Sequence, residues 1–455
     1  LSLAPISCGI LVCIDVVRGV GSVGYGPQNV GGVINFVTRA IPEKASAELS
    51  TTLETSQHGG WKHTESAFVG GTADNGMGVA LLYTGVNGNG YRESNNGNDI
   101  DDVILKTHWA PTDVDEFWLN FHYYDGRADM PGGLTQAQYD SNPYQSLRDY
   151  DYFAGRRKDV SFKWQRQLDD ATQFEVLTYY TDSFRGSTIA SRDMKTLSSY
   201  PRNYHTFAIE PRVSRIFFAG PTTQEVSVGY RYLKEAMREQ STRLALIDNV
   251  PTPTPTSDGH VFQDRSGGTE ASAYYIDDKI DVGNWTITPG IRFEHINTDW
   301  RDRPVLDANN RPVAEKKRSI TSNEPLPALS VMYHVSDAWK VFANYETSFG
   351  SLQYFQLGQG GSGNSTANGL EPEKAKTYEI GTRYDNGGFA GELTAFYIDF
   401  DDELQYISND VGWTNLGATK HQGIEASVRY DLAGLDPRLD GLSVSGGYTY
   451  TRATY

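Results

Sequence analysis

The glycines at positions 19, 21 and 24 have the spacing G-x-G-x-x-G, with which many proteins hold the pyrophosphate of a dinucleotide. That chemistry needs a strand before the glycines and a helix after them, because the N-terminus of the helix supplies amide donors. The apolar run 13–17 predicts the strand. Pro27 and the glycines that follow it disfavour a helix, and residues 33–38 predict a second strand instead. The glycines therefore need another explanation.

No motif in the sequence predicts catalysis. The chain has no G-x-S-x-G, H-E-x-x-H or P-loop sequence, and its nine histidines form no close cluster with metal-ligand spacing. Asp401 and Asp402 are neighbours on a predicted strand, so their side chains point to opposite faces. Cys8 and Cys13 are interpreted as two small packed residues rather than as a disulfide framework. We expect a protein that is not an enzyme, with no catalytic residues, no metal ligands and no cofactor.

The composition of the 455 residues is typical of many strands and turns. Hydrophobic residues make up only 38%, yet there are 28 Tyr and 46 Gly. No run of 18 apolar residues exists, so no transmembrane helix is predicted. The strands of a membrane barrel alternate between lipid-facing and lumen-facing residues, and their average is therefore polar. The net charge of −17 argues against nucleic acid as a partner.

Segments of about ten alternating residues begin near residue 45. In one of them Phe117, Leu119, Phe121 and Tyr123 share one face and the intervening residues share the other. The segments are joined alternately by short turns and by long polar connections. Short turns are predicted at 74–76, 110–113, 169–171, 220–222, 283–284, 336–337, 385–388 and 433–440. Long connections are predicted near 57–63, 87–101, 125–158, 185–204, 240–269, 299–322, 349–375 and 403–420.

This alternation predicts an all-β fold, a transmembrane antiparallel β-barrel of the outer-membrane type, with short turns at one end and long loops at the other. One opening strand followed by eight hairpins predicts about seventeen strands. Tyr and Trp near the strand ends fit the aromatic girdles of such barrels.

Three stretches resemble the family of TonB-dependent outer-membrane receptors. They are RG, YGP and GGVINFVT within 18–38, LEPEK and YEIG within 370–381, and GATK and GIE within 417–425. The resemblance implies a barrel of the 22-stranded type with a plug in its lumen. Residues 1–42 would be the C-terminal part of the plug domain and residues 43–455 the barrel, truncated at its C-terminus. The glycines of the first stretch would then let the plug backbone fold tightly inside the barrel.

Further stretches at 70–76, 128–134, 201–204 and 283–290 resemble those members of the family that import ferric citrate. Citrate already coordinates the iron of this anionic chelate, so recognition should use arginines, whose planar forks bind carboxylates. The resemblance implies ligand-binding roles for Arg185 and Arg202, which flank one long connection. Arg265, at the end of the next connection, is a third candidate, although a two-residue difference in length leaves its alignment ambiguous. Gln405 and Asn409 are hydrogen-bonding candidates.

The implied function is TonB-dependent import of ferric citrate into the periplasm by a monomer in the bacterial outer membrane. The implied partners are ferric citrate, TonB through an N-terminal TonB box outside this chain, and outer-membrane lipid and lipopolysaccharide. The alternatives are a receptor for a hydroxamate or catecholate siderophore, a passive porin and a surface adhesin. The plug-like stretch disfavours a porin, because an open pore needs no glycine-rich insert. For each arginine the alternative role is a structural ion pair at a strand end.

Overall fold

The chain is folded almost entirely as antiparallel strands in a computed structural model that describes residues 11–17, 22–26, 32–307, 311–358, 370–408 and 412–455. In chain order the strands are β1 (Leu11–Val17), β2 (Val33–Thr38), β3 (Ser46–Thr55), β4 (Trp61–Thr72), β5 (Gly78–Asn89), β6 (Gly97–Trp109), β7 (Asp115–Asp129), β8 (Tyr152–Asp169), β9 (Thr172–Ala190), β10 (Thr196–Ser199), β11 (Arg202–Ala219), β12 (Thr222–Ile247), β13 (Val250–Thr252), β14 (Asp258–Val282), β15 (Trp285–Asp302), β16 (Val305–Leu306), β17 (Pro312–Val313), β18 (Lys316–His334), β19 (Trp339–Gly350), β20 (Glu373–Asp385), β21 (Phe389–Asp401), β22 (Leu404–Ser408), β23 (Gly412–Asn415), β24 (Thr419–Asp431) and β25 (Ser443–Thr454). The helices are α1 (Ser22–Tyr25), α2 (Gln136–Ser141) and α3 (Tyr354–Gly358). None of the helices in these residues is long and apolar enough to cross a membrane.

Within the described residues, nineteen strands form one sheet that runs around a barrel in chain order. Two of the nineteen, β10 and β13, are short pieces in loops, so seventeen long strands make the wall and the predicted number is confirmed. The sheet order places β25 beside β3. Both strands are exposed along their whole length, and the registers recorded for the described residues join β3 to β4 and β25 to β24. The seam of the wall therefore lies between β3 and β25.

The predicted alternation places apolar side chains outside the barrel and polar ones inside it. On β7, Leu119, Phe121 and Tyr123 are exposed on the outer face, whereas His122 lies against two aspartates in the lumen. Lipid surrounds the outer face, so the largest apolar surface of this fold is on its outside. The low hydrophobic content of the chain follows from this arrangement.

All eight predicted short turns are present, and they lie between strands that are consecutive in the wall. Aromatic rings pack against each other across the strands next to these turns. The ring centroids of Trp109 and Phe117 are 6.0 Å apart, those of Phe117 and Trp164 are 6.3 Å apart, and those of Trp285 and Tyr333 are 4.7 Å apart. This belt is typical of the girdle that an outer-membrane barrel places at the membrane interface.

The predicted long connections are partly wrong, because the strands continue into them. Residues 240–269 were expected to form a loop, yet β12 has 26 residues and β14 has 25, and only 248–257 lie between them. A tilted strand of about 9–11 residues is enough to cross a bilayer. The additional residues pair above the membrane, where both faces meet water or the lumen. No apolar face is required there, and the alternation that reveals a strand is lost.

The described residues of the segment before the barrel do not form a dinucleotide fold. β1 and β2 pair with each other as a separate antiparallel hairpin, which confirms the predicted strand 33–38. The helix between them, α1, has only four residues. Gly26 has a φ of +87° and is buried, so the expected tight backbone is confirmed at this glycine. Arg18, Gly19 and Gly21 lie outside the described residues.

The link between β2 and the barrel is bound to the inner wall. The Lys106 ammonium donates to Thr38 Oγ1 at 2.9 Å and to the Arg39 carbonyl at 2.7 Å. The Arg39 guanidinium lies 4.2 Å from the centre of the Phe68 ring. Ile41 packs against a buried cluster that contains Phe68. These contacts anchor residues 38–41 inside the lumen.

We expect Lys106→Met to release this link. The variant loses two hydrogen bonds from a charged donor, each contributing about 1.5–3 kcal/mol. Trypsin should then cleave after Arg39 and Lys44 faster than in the wild type, as measured by mass spectrometry of timed digests. Lys279→Met is the control, since Lys279 is half-exposed and pairs with Asp281 elsewhere. Equal cleavage rates in wild type and Lys106→Met would contradict the anchoring role.

Candidate functional site

The three arginines predicted as ligands line one cavity of about 600 Å³. Arg185 comes from β9, Arg202 from β11 and Arg265 from β14. The wall of the cavity continues along β12 and β15, and residues 351–355 cover it. The fold thus brings together arginines that are up to 80 residues apart in the chain.

Cross-strand register places the three arginines in one row. Arg185 is opposite Arg202, Arg202 is opposite Glu239, Glu239 is opposite Arg265, and Arg265 is opposite Asp302. Residues directly opposite each other on antiparallel strands share a face of the sheet. All five side chains therefore face the lumen in one row across five neighbouring strands.

Two of these arginines are oriented by acidic neighbours in the row. Arg202 Nε donates to Glu239 Oε2 at 2.7 Å, and Arg265 Nε donates to Asp302 Oδ1 at 3.0 Å. Glu239, only 2% exposed, also accepts from Ser241 Oγ at 2.8 Å. The expected alternative role, a structural ion pair, is thus present at Arg202, which begins β11, and at Arg265, which lies inside β14. A guanidinium has five N–H donors, so one Nε bond leaves others for a ligand.

Arg185 differs from the other two. Its guanidinium lies 5.1 Å from the centre of the Phe153 ring, and among the described residues no ion pair is recorded for it. The sequence interpretation placed Arg185 at the end of its strand, but β9 continues to Ala190. Arg265 likewise lies inside β14 rather than in a loop, because this pair of strands extends above the membrane. Arg202 begins β11 as expected.

A second set of charged residues in the cavity was not singled out from the sequence. Arg292 and Glu294 of β15 are 1% and 2% exposed, and Arg292 Nε donates to Glu294 Oε1 at 2.5 Å. Arg231 of β12 pairs with Glu210 at 3.0 Å. In the sequence, Arg231 stands between two tyrosines, and Arg292 and Glu294 flank Phe293, so all three lie on the polar face of an alternating strand. The alternation of polar and apolar residues could have identified them as lumen-facing. It could not show that they line the same cavity.

The charged side chains that line the cavity are mostly arginines, although the chain as a whole is acidic. Five arginines and three glutamates line it, and Asp302 and Glu210 pair with two of the arginines from outside the lining, so five arginines meet five carboxylates. Charges on the exposed surface are largely screened beyond about 8 Å at physiological salt. An arginine about 4 Å from an anion contributes on the order of 4 kcal/mol in a partly desolvated site. An arginine in contact with a ligand therefore affects an anion more than the distant charges that make up the net charge of −17.

The cover of the cavity is apolar and packed. Leu352 and Leu357 belong to a buried cluster with Trp300 and Met237. The Tyr354 hydroxyl donates to Glu235 Oε1 at 3.0 Å. Burial, together with the charge of Glu235, raises the pKa of Tyr354, so its phenol remains a hydrogen-bond donor at neutral pH. The arrangement excludes water from one side of the arginine row.

Gln405, another predicted ligand residue, does not line the cavity. Gln405 is exposed on β22, in a hairpin with β23. That hairpin reaches the cover through Trp413, whose ring centroid lies 6.1 Å from that of Phe355. Asn409 lies outside the described residues. No group of three or more His, Cys, Asp or Glu in the described part of the chain could hold a metal ion.

A family model for the TonB dependent receptor-like β-barrel matches residues 108–455. The chain belongs to this family of outer-membrane receptors. Among solved structures, the unliganded ferric citrate transporter FecA is 44% identical over 99% of this chain and 66% of its own, with a TM-score of 0.87. The closed form of the ferric-catecholate import receptor Fiu from E. coli K12 is 18% identical, with a TM-score of 0.74, over 97% of this chain and 69% of its own.

Curated relatives are more distant. The catecholate siderophore receptor Fiu of Escherichia coli K12 is 23% identical over 54% of this chain and 35% of its own length. The ferric enterobactin receptor of Pseudomonas aeruginosa is 21% identical over 96% of this chain and 62% of its own. The chain thus spans about a third of the length of the first curated relatives that it matches. The family consists of outer-membrane receptors and transporters rather than enzymes.

The row of charges predicts a specific effect of Glu239→Gln on stability. Arg202 would lose its charged partner, and we expect the free energy of unfolding to fall by about 1–3 kcal/mol. Denaturant unfolding in lipid vesicles, followed by tryptophan fluorescence, measures this change.

The matched control is Glu392→Gln, because Glu392 pairs with the exposed Arg383 at 2.8 Å on another part of the wall. Exposed ion pairs contribute only about 0–1 kcal/mol. If both substitutions lowered the free energy of unfolding by the same amount, the buried position of Glu239 would have no special role.

Proposed function

We propose that the protein is a TonB-dependent receptor that imports ferric citrate across the outer membrane, and that the arginine-lined cavity is its ligand site. In this proposal residues 1–42 belong to the plug domain and residues 43–455 to the barrel. TonB, acting on the plug from the periplasm, supplies the energy for release. The protein works as a monomer surrounded by lipid and lipopolysaccharide.

The observation that carries the proposal is the row of three arginines around one cavity. Ferric citrate presents several carboxylates on its surface, and guanidinium groups bind carboxylates through parallel hydrogen bonds. Iron is already coordinated in the chelate, so a site without metal ligands is sufficient. A volume of about 600 Å³ lies within the range of small-molecule sites. The 44% identity with the ferric citrate transporter supports the same ligand.

A catecholate siderophore is the second candidate. The aromatic rings of Tyr204, Trp300, Tyr354 and Phe355 line one side of the cavity. Flat catechol rings would stack on such side chains, and the complex is also anionic. The curated catecholate receptors among the relatives are consistent with this alternative.

Equilibrium binding to the purified receptor distinguishes the two candidates. We expect ferric citrate to bind more tightly than ferric catecholate, ferric hydroxamate or iron-free citrate. Arg185→Ala and Arg202→Ala should each weaken ferric citrate binding by about tenfold or more, which corresponds to about 1.4 kcal/mol. Titration calorimetry or labelled iron in a filter assay gives these affinities.

Two controls accompany these variants, one at a distant arginine and one at the partner of Arg202. Arg215→Ala, at the other end of the same strand, should bind as the wild type does, because Arg215 pairs with Asp169 beside a short turn. Arg202→Ala also leaves Glu239 unpaired near the ligand, so Arg202→Ala with Glu239→Gln should recover part of the affinity. Tight binding of a catecholate with no effect of either arginine would refute the ferric citrate assignment.

A further inference from the structure

Arg292 contacts both the cavity and the segment that precedes the barrel. Its Nη1 donates to the carbonyl of Val23 at 3.2 Å, across 269 residues of sequence. Its Nε is held by Glu294. Its Nη2 is buried and has no hydrogen-bond partner among the described residues. The same side chain lines the cavity that contains Arg185, Arg202 and Arg265.

The segment 22–26 is fitted closely to this part of the wall. A Cβ added to Gly290 would lie 3.0 Å from Val23 Cγ2, so Val23 is seated directly on a glycine of β15. A Cβ on Gly26 would lie 3.1 Å from Arg292 Nη2 and 3.3 Å from Glu294 Oε1. Val23 and Gly26 are both buried. Movement of this segment would therefore move the surroundings of the arginine.

We propose that Arg292 is a further ligand-binding residue, and that it couples occupancy of the cavity to the seating of segment 22–26 on the barrel wall. This inference rests on the proposed function, since the ligand considered is ferric citrate. A carboxylate of the ligand accepts a hydrogen bond from Nη2 while Nη1 continues to hold the Val23 carbonyl. Seating and binding then stabilise each other.

The physical basis is the unpartnered nitrogen. A buried donor without an acceptor destabilises the site, and an anion that binds it removes that cost. Guanidinium geometry is planar and fixed, so the bond to Val23 also sets the direction of Nη2. Coupling between two sites is reciprocal: whatever the segment contributes to ligand affinity, the ligand contributes to the stability of the segment.

Two measurements test the coupling in the purified receptor. Ferric citrate should slow hydrogen–deuterium exchange of the amides in segment 22–26 of the wild type. Arg292→Lys keeps the charge but cannot hold Glu294, Val23 and a carboxylate together. We expect this variant to bind ferric citrate about tenfold or more weakly and to lose the ligand-dependent protection. The control is Arg383→Lys, a wall arginine paired with Glu392 and outside the cavity.

Gly290→Ala tests the same coupling by changing the seat of segment 22–26 and not the contact with the ligand. The added methyl should displace Val23 without touching the cavity, so exchange in segment 22–26 should rise and ferric citrate affinity should fall. Gly446→Ala is the control, because a Cβ there meets open space. If the wild type binds ferric citrate but both Arg292→Lys and Gly290→Ala bind it equally well, the coupling is refuted. If the wild type does not bind ferric citrate, the proposed function itself fails.

Discussion

A strand that crosses a lipid bilayer must pair all its amide and carbonyl groups with neighbouring strands, because no water is present to bind them. In this protein that constraint produces a wall of seventeen antiparallel strands in chain order. Once the backbone pairs are formed, each residue of a strand within the wall has a defined opposite residue on both neighbouring strands, whereas β3 and β25 at the seam have recorded partners on one side. The chemistry of the lumen then depends on which residues share a row, since every second side chain points inward.

The row that contains Arg202, Glu239 and Arg265 shows this dependence. Its charges alternate in sign over most of its length, and each acidic residue orients the arginine beside it. Such pairs hold the guanidinium groups in place without using all their donors. Arg185, which stands at the end of the row and lies over an aromatic ring, has no acidic partner among the residues that the structure describes. The row is therefore both a structural element of the wall and a surface that favours anions.

Below this row, the pair formed by Arg292 and Glu294 is almost fully buried. Removing two charges from water is costly unless their geometry and additional hydrogen bonds compensate. The carbonyl of Val23 accepts one of those bonds, and Val23 belongs to the segment that precedes the barrel strands. Arg292 thus contacts both the cavity and the preceding segment.

The pattern of residues along the chain was enough to predict the barrel, its number of strands, its short turns and the strand 33–38, because alternation and turn chemistry are local properties. Three arginines of the candidate site were predicted as well, though only with the help of a family resemblance. The sequence did not predict how far β12 and β14 extend. It also did not predict that Arg231, Arg292 and Glu294 line the cavity. Register depends on the pairing of distant strands, and a shift by one residue would turn each of these side chains to the lipid face. No local pattern records which residues of two strands stand opposite each other, and so the meeting of five arginines around one cavity emerged only when the wall was assembled.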